Sequence, residues 1–312
     1  MAISMRGSVK SKAERFTVKT ICIKLRVLEK NNMVRTNGNG VEFRSFSFAS
    51  TKGFINKAYQ LEKFQDYLLD LDALFFEENS VVIKDSGNTR TAVVSLDLGK
   101  GDEKFVLKKY KPKSLFHPLF ILFGGSKALK VWLLSNVLFD KDISIPKPVA
   151  MIEKRKMGLR INGYLLTQFI EDAVNFKAYA SSQGITFMED GRLMKKLGQA
   201  IGKMHASYVI HGDLKWSNIL LKDIGGDQNP VFVDLDHAWY SNKFSDRDRA
   251  KDLARFMTDI REMGLAPQLA ETFIESYFDA AVIKSNEKGD FVKRMDRVTN
   301  KIMRRHQRFS QV

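Results

Sequence analysis

Four residues carry side chains that could do chemistry together: Asp213, Lys215 and Asn218 within HGDLKWSNILL (211–221), and Asp234 within VFVDLDHA (231–238). Two apolar runs, Ile219 to Leu221 and Val231 to Val233, flank a segment from Asp223 to Pro230 rich in Gly, Asp and Asn, as a hairpin requires. A hairpin puts Asp213 and Asn218 on a tight loop before its first strand and Asp234 at its far end, so three oxygen donors converge on one point. Hard oxygens with no nearby Cys or paired His suit Mg2+ rather than zinc, and a lysine two places after Asp213 suits a phosphate beside the metal. The alternative, a polar loop between two strands, needs four polar types to fall at these offsets by chance.

The positioning elements read less evenly. From Asn56 to Phe75, Leu61, Phe64, Leu68, Leu71 and Phe75 recur every three or four residues, which predicts an amphipathic helix. VVIK and TAVVSLDL, joined by Asp85-Ser86-Gly87-Asn88, read as a hairpin, and Lys104 to Tyr110 as a third strand. A helix follows from about Ser126 to Phe139, a strand from Tyr164 to Ile170, and a buried helix from Met188 to Ala206, spaced by Leu193, Leu197, Ile201 and Met204. Helices over Pro267–Ile283 and Lys288–Phe309 end the chain, the last carrying Lys293, Arg294, Arg297, Lys301, Arg304, Arg305 and Arg308. Residues 1–55 are basic and weakly patterned; Phe16 to Val27 has strand composition.

Composition narrows the classes. The 312 residues, 44% hydrophobic, exclude wholesale disorder and predict a large two-lobed unit or two domains. Lys and Arg number 51 against 36 Asp and Glu, and a net charge of +15 favours a polyanionic partner: nucleic acid, an anionic membrane face or a phosphorylated substrate. No nucleic-acid motif accompanies the charge, which argues against nucleic acid. Cys22 stands alone, so no internal disulfide forms and a reducing compartment is expected. No run reaches membrane-spanning length, the longest apolar stretch, Leu115 to Phe123, being broken by His117 and Pro118. No signal peptide is recognised at the amino terminus, so a soluble or peripheral protein is expected. The lysines beside Leu115–Phe123 fit either a membrane-surface contact or a buried loop.

The pattern H-x-D-x-K-x-x-N followed by a strand-borne Asp resembles the catalytic and metal-binding loops of the protein-kinase-like superfamily. The resemblance implies an α+β, two-lobed fold with ATP and Mg2+ between a small antiparallel-sheet lobe and a larger, mostly helical lobe. It implies that Asp213 accepts the proton of the attacking hydroxyl, Lys215 steadies the transferred phosphoryl, and Asn218 and Asp234 hold Mg2+. His211 resembles the histidine that braces this loop, and Asp252, within RDRAKDLARFM, the residue that buttresses it. In the small lobe, FVLKK places Lys108 at the position of the phosphate-pairing lysine; the alternative is a solubilising edge-strand lysine, the role expected of Lys109 and Lys111. The first turn has one Gly, so its phosphate grip would come from backbone N–H groups and from Ser86 and Asn88.

In protein kinases the helix of this lobe carries a Glu that pairs with the strand lysine, yet SKALKVWLLSNVLF has no acid. Either another carboxylate, such as Glu153, is the partner, or Lys108 works without one. Asp236 replaces an expected glycine and either adds an oxygen to the metal site or caps a turn. Trp216 either floors the acceptor pocket or packs in the large lobe, and His205 reads as a core histidine.

A narrower resemblance lies in SKALKVWLLSNVLFDKDISIPKPVAMIEKRKMGLRINGYLLTQFIED (126–172), together with FVLKKYKPK and HGDLKWSN. These are similar to the bacterial lipopolysaccharide kinase family, enzymes that phosphorylate Kdo or heptose in the inner core. The likeness runs from about Ser80 to Arg255. It divides the chain into a basic extension (1–55), a small lobe (56–168) and a large lobe with a basic carboxyl-terminal helix (169–312). It implies an anionic glycolipid substrate and a cytoplasmic protein in peripheral contact with the inner face of the inner membrane. Only seventeen residues separate Asp234 from Asp252, too few for a long peptide-docking segment, which favours a non-peptide acceptor. An atypical serine/threonine protein kinase, a small-molecule kinase and an inactive scaffold are the alternatives.

Overall fold

The computed structural model describes residues 35–36, 42–111, 126–157, 159–183, 191–224, 227–241 and 245–309. Cys22, the expected strand at Phe16–Val27 and the apolar-basic stretch Leu115–Phe123 with His117 lie outside them. The small lobe is an antiparallel sheet of β1 (Arg35–Thr36), β2 (Glu42–Phe48), β3 (Thr51–Asn56), β4 (Val81–Asp85), β5 (Thr89–Asp97), β6 (Asp102–Tyr110), β7 (Pro148–Lys156) and β8 (Leu159–Gln168), in the spatial order β1-β2-β3-β7-β8-β6-β5-β4.

Side chains alternate across a strand, and the two faces of this sheet have different work. On one face lie Phe105 and Leu107 of β6 with Tyr164 and Leu166 of β8, covered by Phe64 and Leu68 of α1 (Leu61–Leu68) and by Leu71, Leu74 and Phe75. Each such fully buried side chain stabilises the lobe by about 1.5–3 kcal/mol. The other face carries Val106, Lys108 and Tyr110 toward the large lobe and packs on α2 (Lys127–Asp140), whose Trp132 stacks on Phe54 at 5.0 Å and meets Phe43 edge-on at 4.9 Å. Ser126 caps α2, its hydroxyl accepting from the Leu129 N–H at 2.9 Å.

Two elements depart from the sequence reading. The helix expected over 56–75 is only eight residues long, because the Asp70 carboxylate accepts from the N–H groups of Asp72 and Ala73 and turns the chain before a short 3-10 segment, Ala73–Phe75. Residues 42–55, read as part of the basic extension, are two strands of the sheet; Phe43, Phe46, Phe54 and Ile55 feed both of its faces.

After Gln168 the chain crosses into the large lobe. Its elements are β9 (Ala173–Asn175), α3 (Phe176–Gln183), α4 (Arg192–Ala206), β10 (Val209–Ile210), β11 (Ile219–Ile224), β12 (Asp227–Phe232), β13 (Trp239–Tyr240), α5 (Asp246–Glu262), α6 (Pro267–Ala281) and α7 (Ser285–Phe309). β11 and β12 form the expected hairpin, with Ile219 opposite Phe232, so Val233 and Asp234 emerge beside Asn218; the Val233 N–H donates to the Asn218 carbonyl at 3.0 Å. α4 buries Leu193, Leu197, Ile201 and Met204 and lies directly against α6. Gly198 and Gly202 permit that approach: a Cβ at 198 would sit 2.4 Å from the Phe273 carbonyl oxygen, and one at 202 would sit 2.6 Å from the Ala280 Cβ.

Gly198→Ala is therefore expected to destabilise the protein by roughly 1–3 kcal/mol, although alanine is the better helix former, because overpacking against backbone outweighs propensity. A urea midpoint equal to or above wild type would contradict this account of the α4–α6 contact.

Candidate active site

The loop from His211 to Asn218 takes its shape from α5. The Asp252 carboxylate accepts from the backbone N–H groups of His211 and Gly212, both at 2.8 Å, and Asp259, two turns on, accepts from the Trp216 N–H at 2.8 Å. Gly212 has φ +77, and a Cβ there would lie 2.3 Å from the His237 carbonyl oxygen, so glycine alone fits this turn. His211 is fully buried, and burial pushes its imidazole below the ordinary histidine range. Its Nε2 faces the Val233 carbonyl at 3.1 Å, which fixes Nε2 as the donor and makes the ring a brace between the loop and the Asp234 strand. His205 sits in the core between the Tyr277 hydroxyl and Asp252. Trp216 is buried and stacked on Phe176 at 4.2 Å, so it packs the large lobe.

Asp213 stands where three groups meet. Its Oδ1 accepts from the Arg255 guanidinium at 2.5 Å, its Oδ2 lies 3.3 Å from the Lys215 Nζ, and the Asn218 amide donates to Oδ2 at 3.1 Å. Burial would raise this carboxyl, but Lys215 and Arg255 outweigh burial and hold it below the usual carboxylate range. It is thus ionised at neutral pH, as an acceptor of protons must be. The Asn218 nitrogen also donates to the Asp213 carbonyl at 2.9 Å, which leaves the amide oxygen as the atom a cation would take.

Lys108 crosses from the small lobe to this group. β6 lies between β5 and β8, so Lys108 is no edge-strand lysine. Its side chain is 14% exposed, and its ammonium is 2.6 Å from Asp234 Oδ1 and 2.9 Å from Asp236 Oδ1. Glu153, the partner considered from sequence, is elsewhere: it is buried with Arg155 at 3.0 Å, Arg160 at 3.1 Å and the Ser126 hydroxyl, anchoring the start of α2. The Lys108 partner comes instead from the loop after β12. Asp236 also accepts from the Tyr110 hydroxyl at 2.8 Å and pairs with Lys127 of α2 at 3.0 Å. Burial would raise Asp236, yet Lys108, Lys127 and Tyr110 together hold it low; burial and Asp236 push the Tyr110 phenol well up, so it remains a donor. Asp234 itself has φ 57 and ψ 56, a strained left-handed conformation of the kind stored at functional sites. Lys109, expected to be a solubilising lysine, is mostly buried and pairs with Asp72 at 2.8 Å.

The oxygens of Asn218, Asp234 and Asp236 form a hard donor set, and the Lys108 ammonium held against two of them shows that the place accepts positive charge. Mg2+ fits such a set. Beside it a cleft of about 610 Å3 opens between the lobes, lined by Ile83, Lys84, Thr91, Val106 and Lys108 above, by Gln168 to Ile170 at the crossing, and by Lys215, Asn218, Leu220, Phe232 and Asp234 below. Ser86 and Asn88 are not brought to this wall. Ser86 is spent within its own turn, its hydroxyl donating to the Thr89 carbonyl at 3.1 Å, and the Asn88 carbonyl accepts from the Lys111 N–H. Sequence reading missed Tyr110, Lys127 and Arg255; the one available signal was that Arg255 falls one helical turn after Asp252, on the same face.

Asp236→Ala removes a buried carboxylate with three donors and is expected to cost roughly 1–3 kcal/mol. Lys127→Met, at the more exposed end of the same network, should cost under about 1 kcal/mol. Equal shifts of the two unfolding midpoints would contradict this ranking.

Residues 75–277 match the lipopolysaccharide kinase (Kdo/WaaP) family. A solved structure described as WaaP in complex with acyl carrier protein superposes with a TM-score of 0.57 at 20% identity, covering 77% of this chain and 94% of that one, which is a likeness of fold. The 3-deoxy-D-manno-octulosonic acid kinase of Pasteurella multocida is 26% identical over 149 residues, 46% of this chain and 59% of that protein. The EKC/KEOPS complex subunit BUD32 of Gibberella zeae is 42% identical over 66 residues, 20% of this chain and 25% of that protein. The chain spans a quarter or less of the length of the first curated relatives that it matches. The family match covers well over half of the chain and includes the cleft and both of its acidic loops, and on that ground the protein belongs to the lipopolysaccharide kinase (Kdo/WaaP) family.

Proposed function

We propose that the protein is an ATP-dependent phosphotransferase that moves the γ-phosphate to a sugar hydroxyl, Kdo or heptose, of the lipopolysaccharide inner core. The observation that carries this reading is the family match over residues 75–277, joined to an ionised Asp213 at the edge of a cleft that presents Lys108, Asn218 and Asp234.

Each residue then has a task. Lys108 leaves its carboxylates to pair with the phosphates, and Lys215 steadies the phosphoryl group in flight. Asp213 takes the hydroxyl proton as the acceptor oxygen bonds to the γ-phosphorus and the bond from that phosphorus to the bridging oxygen breaks, releasing ADP. Asn218 and Asp234 would hold Mg2+, which when bound neutralises phosphate charge. Val106, Leu165, Leu220 and Phe232 supply apolar walls for a flat base near the crossing strand.

A glycolipid acceptor is also supported by two features outside the cleft. The described residues between Asp234 and Asp252 include a short 3-10 turn, β13 and the start of α5, and the seventeen residues of this segment are too few for a long peptide-docking segment. On α7, Arg294, Arg297, Lys301, Arg304 and Arg308 recur at three and four residues along one exposed face, which suits the anionic inner face of the inner membrane and a peripheral, cytoplasmic protein. Among the described residues no helix is long and apolar enough to cross a membrane. The second reading, an atypical protein kinase, draws on the H-x-D-x-K-x-x-N loop, which the chain shares in pattern with protein kinases.

Two measurements test the proposal. Mass spectrometry of lipopolysaccharide from cells with and without the protein should show a phosphate difference on one core sugar; an unchanged core, with labelling of generic protein substrates, would reverse the ranking. In purified protein, Asp213→Asn should reduce transfer roughly 100- to 10,000-fold with ATP binding intact, whereas Asp234→Asn should weaken binding of ATP with Mg2+.

A further inference from the structure

Arg255 has no task in the phosphate chemistry above, yet it touches the base. Its guanidinium is 2.5 Å from Asp213 Oδ1, while the Lys215 Nζ is 3.3 Å from Oδ2, so one carboxylate carries two cations. Lys215 lines the nucleotide cleft; Arg255 and Asp213 do not. Arg255 therefore stands on the outer side of the base, where an acceptor hydroxyl arrives. Its backbone is held in place, since Asp252 and Asp259, three residues before and four after on the same helix face, are tied to the loop. Its side chain is 47% exposed against 18% for Asp213. A guanidinium has five N–H donors in a planar fork, and one bond to Asp213 leaves most of them for a second anion.

That placement creates a conflict which the right acceptor resolves. A hydroxyl approaching Asp213 competes with Arg255 for Oδ1, and displacing the guanidinium without a substitute partner is costly. An acceptor that brings its own anion supplies the substitute. We propose that Arg255 is a specificity-determining residue that reads a carboxylate or phosphate group carried by the acceptor beside the reacting hydroxyl, and that this group draws the guanidinium off Asp213. The inference rests on Asp213 serving as the base, as above, and adds that neutral alcohols are refused because they leave the base occupied.

The test uses the full chain with ATP and Mg2+, the variants Arg255→Gln and Arg255→Lys, and two acceptor pairs that differ in one charge: Kdo with its methyl ester, and glycerate with glycerol. The wild-type protein should favour the charged member of a pair by about 10- to 100-fold in kcat/KM, the range expected for one charge-assisted hydrogen-bond pair. Arg255→Gln should abolish that preference through KM of the acceptor, with KM for ATP unchanged, and Arg255→Lys should restore part of it, a point charge lacking the fork. A preference that persists in Arg255→Gln overturns the proposal. So does an equal fall in kcat for both members at unchanged KM, the mark of a residue that merely holds Asp213. If Arg255→Gln fails to fold, Arg255→Lys and the wild-type ratio decide. Equal transfer to Kdo and its ester would sink the role of Arg255 and keep the sugar reading; transfer to glycerate alone would do the reverse, and no transfer to any of the four would sink both.

Discussion

The interaction on which the site depends is the ion pair that Lys108 makes with Asp234 and Asp236 across the cleft. It joins a strand of one lobe to a loop of the other, and each side is over-determined. Pairing of β6 with both β5 and β8 fixes which way Lys108 points, and Phe105 and Leu107, fully buried on the opposite face, prevent a one-residue slip. On the other side the β11–β12 register and the Val233 N–H bond to Asn218 deliver Asp234, in a strained conformation that its neighbours enforce. With 14% of the lysine side chain exposed, the pair is shielded enough that its attraction exceeds that of a surface bridge.

Around that pair, α5 acts as a ruler. Asp252, Arg255 and Asp259 recur at three and four residues, so carboxylate, guanidinium and carboxylate share one face and meet the backbone or side chains of residues 211–216 in turn. A loop of irregular backbone has no ladder of its own, and its N–H groups must find partners somewhere. Here two carboxylates from a rigid helix take that part, which is why a loop can hold its reactive side chains in place.

How much of this was legible in the sequence depended on the range of the interaction involved. The HGDLKWSN loop, the β11–β12 hairpin and the β4–β5–β6 meander were readable because turn chemistry and alternation are local. The strands over residues 42–56 were not, since EFRSFSF and TKGFIN sit in a weakly patterned, basic region and acquire their meaning only from pairing with β7 and from Trp132, more than 70 residues away. The helix over 56–75 is shorter than its spacing predicts because apolar spacing persists through Leu71 and Phe75 while Asp70 diverts the backbone at Asp72 and Ala73. Tyr110, Lys127 and Arg255 look like ordinary members of basic stretches, and only their convergence on Asp236 and Asp213 gives them a part. Glu153 illustrates the opposite error: a lone acid in the right region, drawn to closer arginines.

The exchange of partners at Asp236 bears on control. In protein kinases the strand lysine pairs with a helix glutamate, and moving that helix makes or breaks the pair and so sets the enzyme on or off. Here α2 presents a cation, Lys127, and both carboxylates sit in the loop that follows β12, two residues apart. Withdrawal of α2 would strip Lys127 from Asp236 but leave the lysine and its two acids together. The Lys108 pair therefore does not depend on where the helix stands, unlike the lysine–glutamate pair of protein kinases.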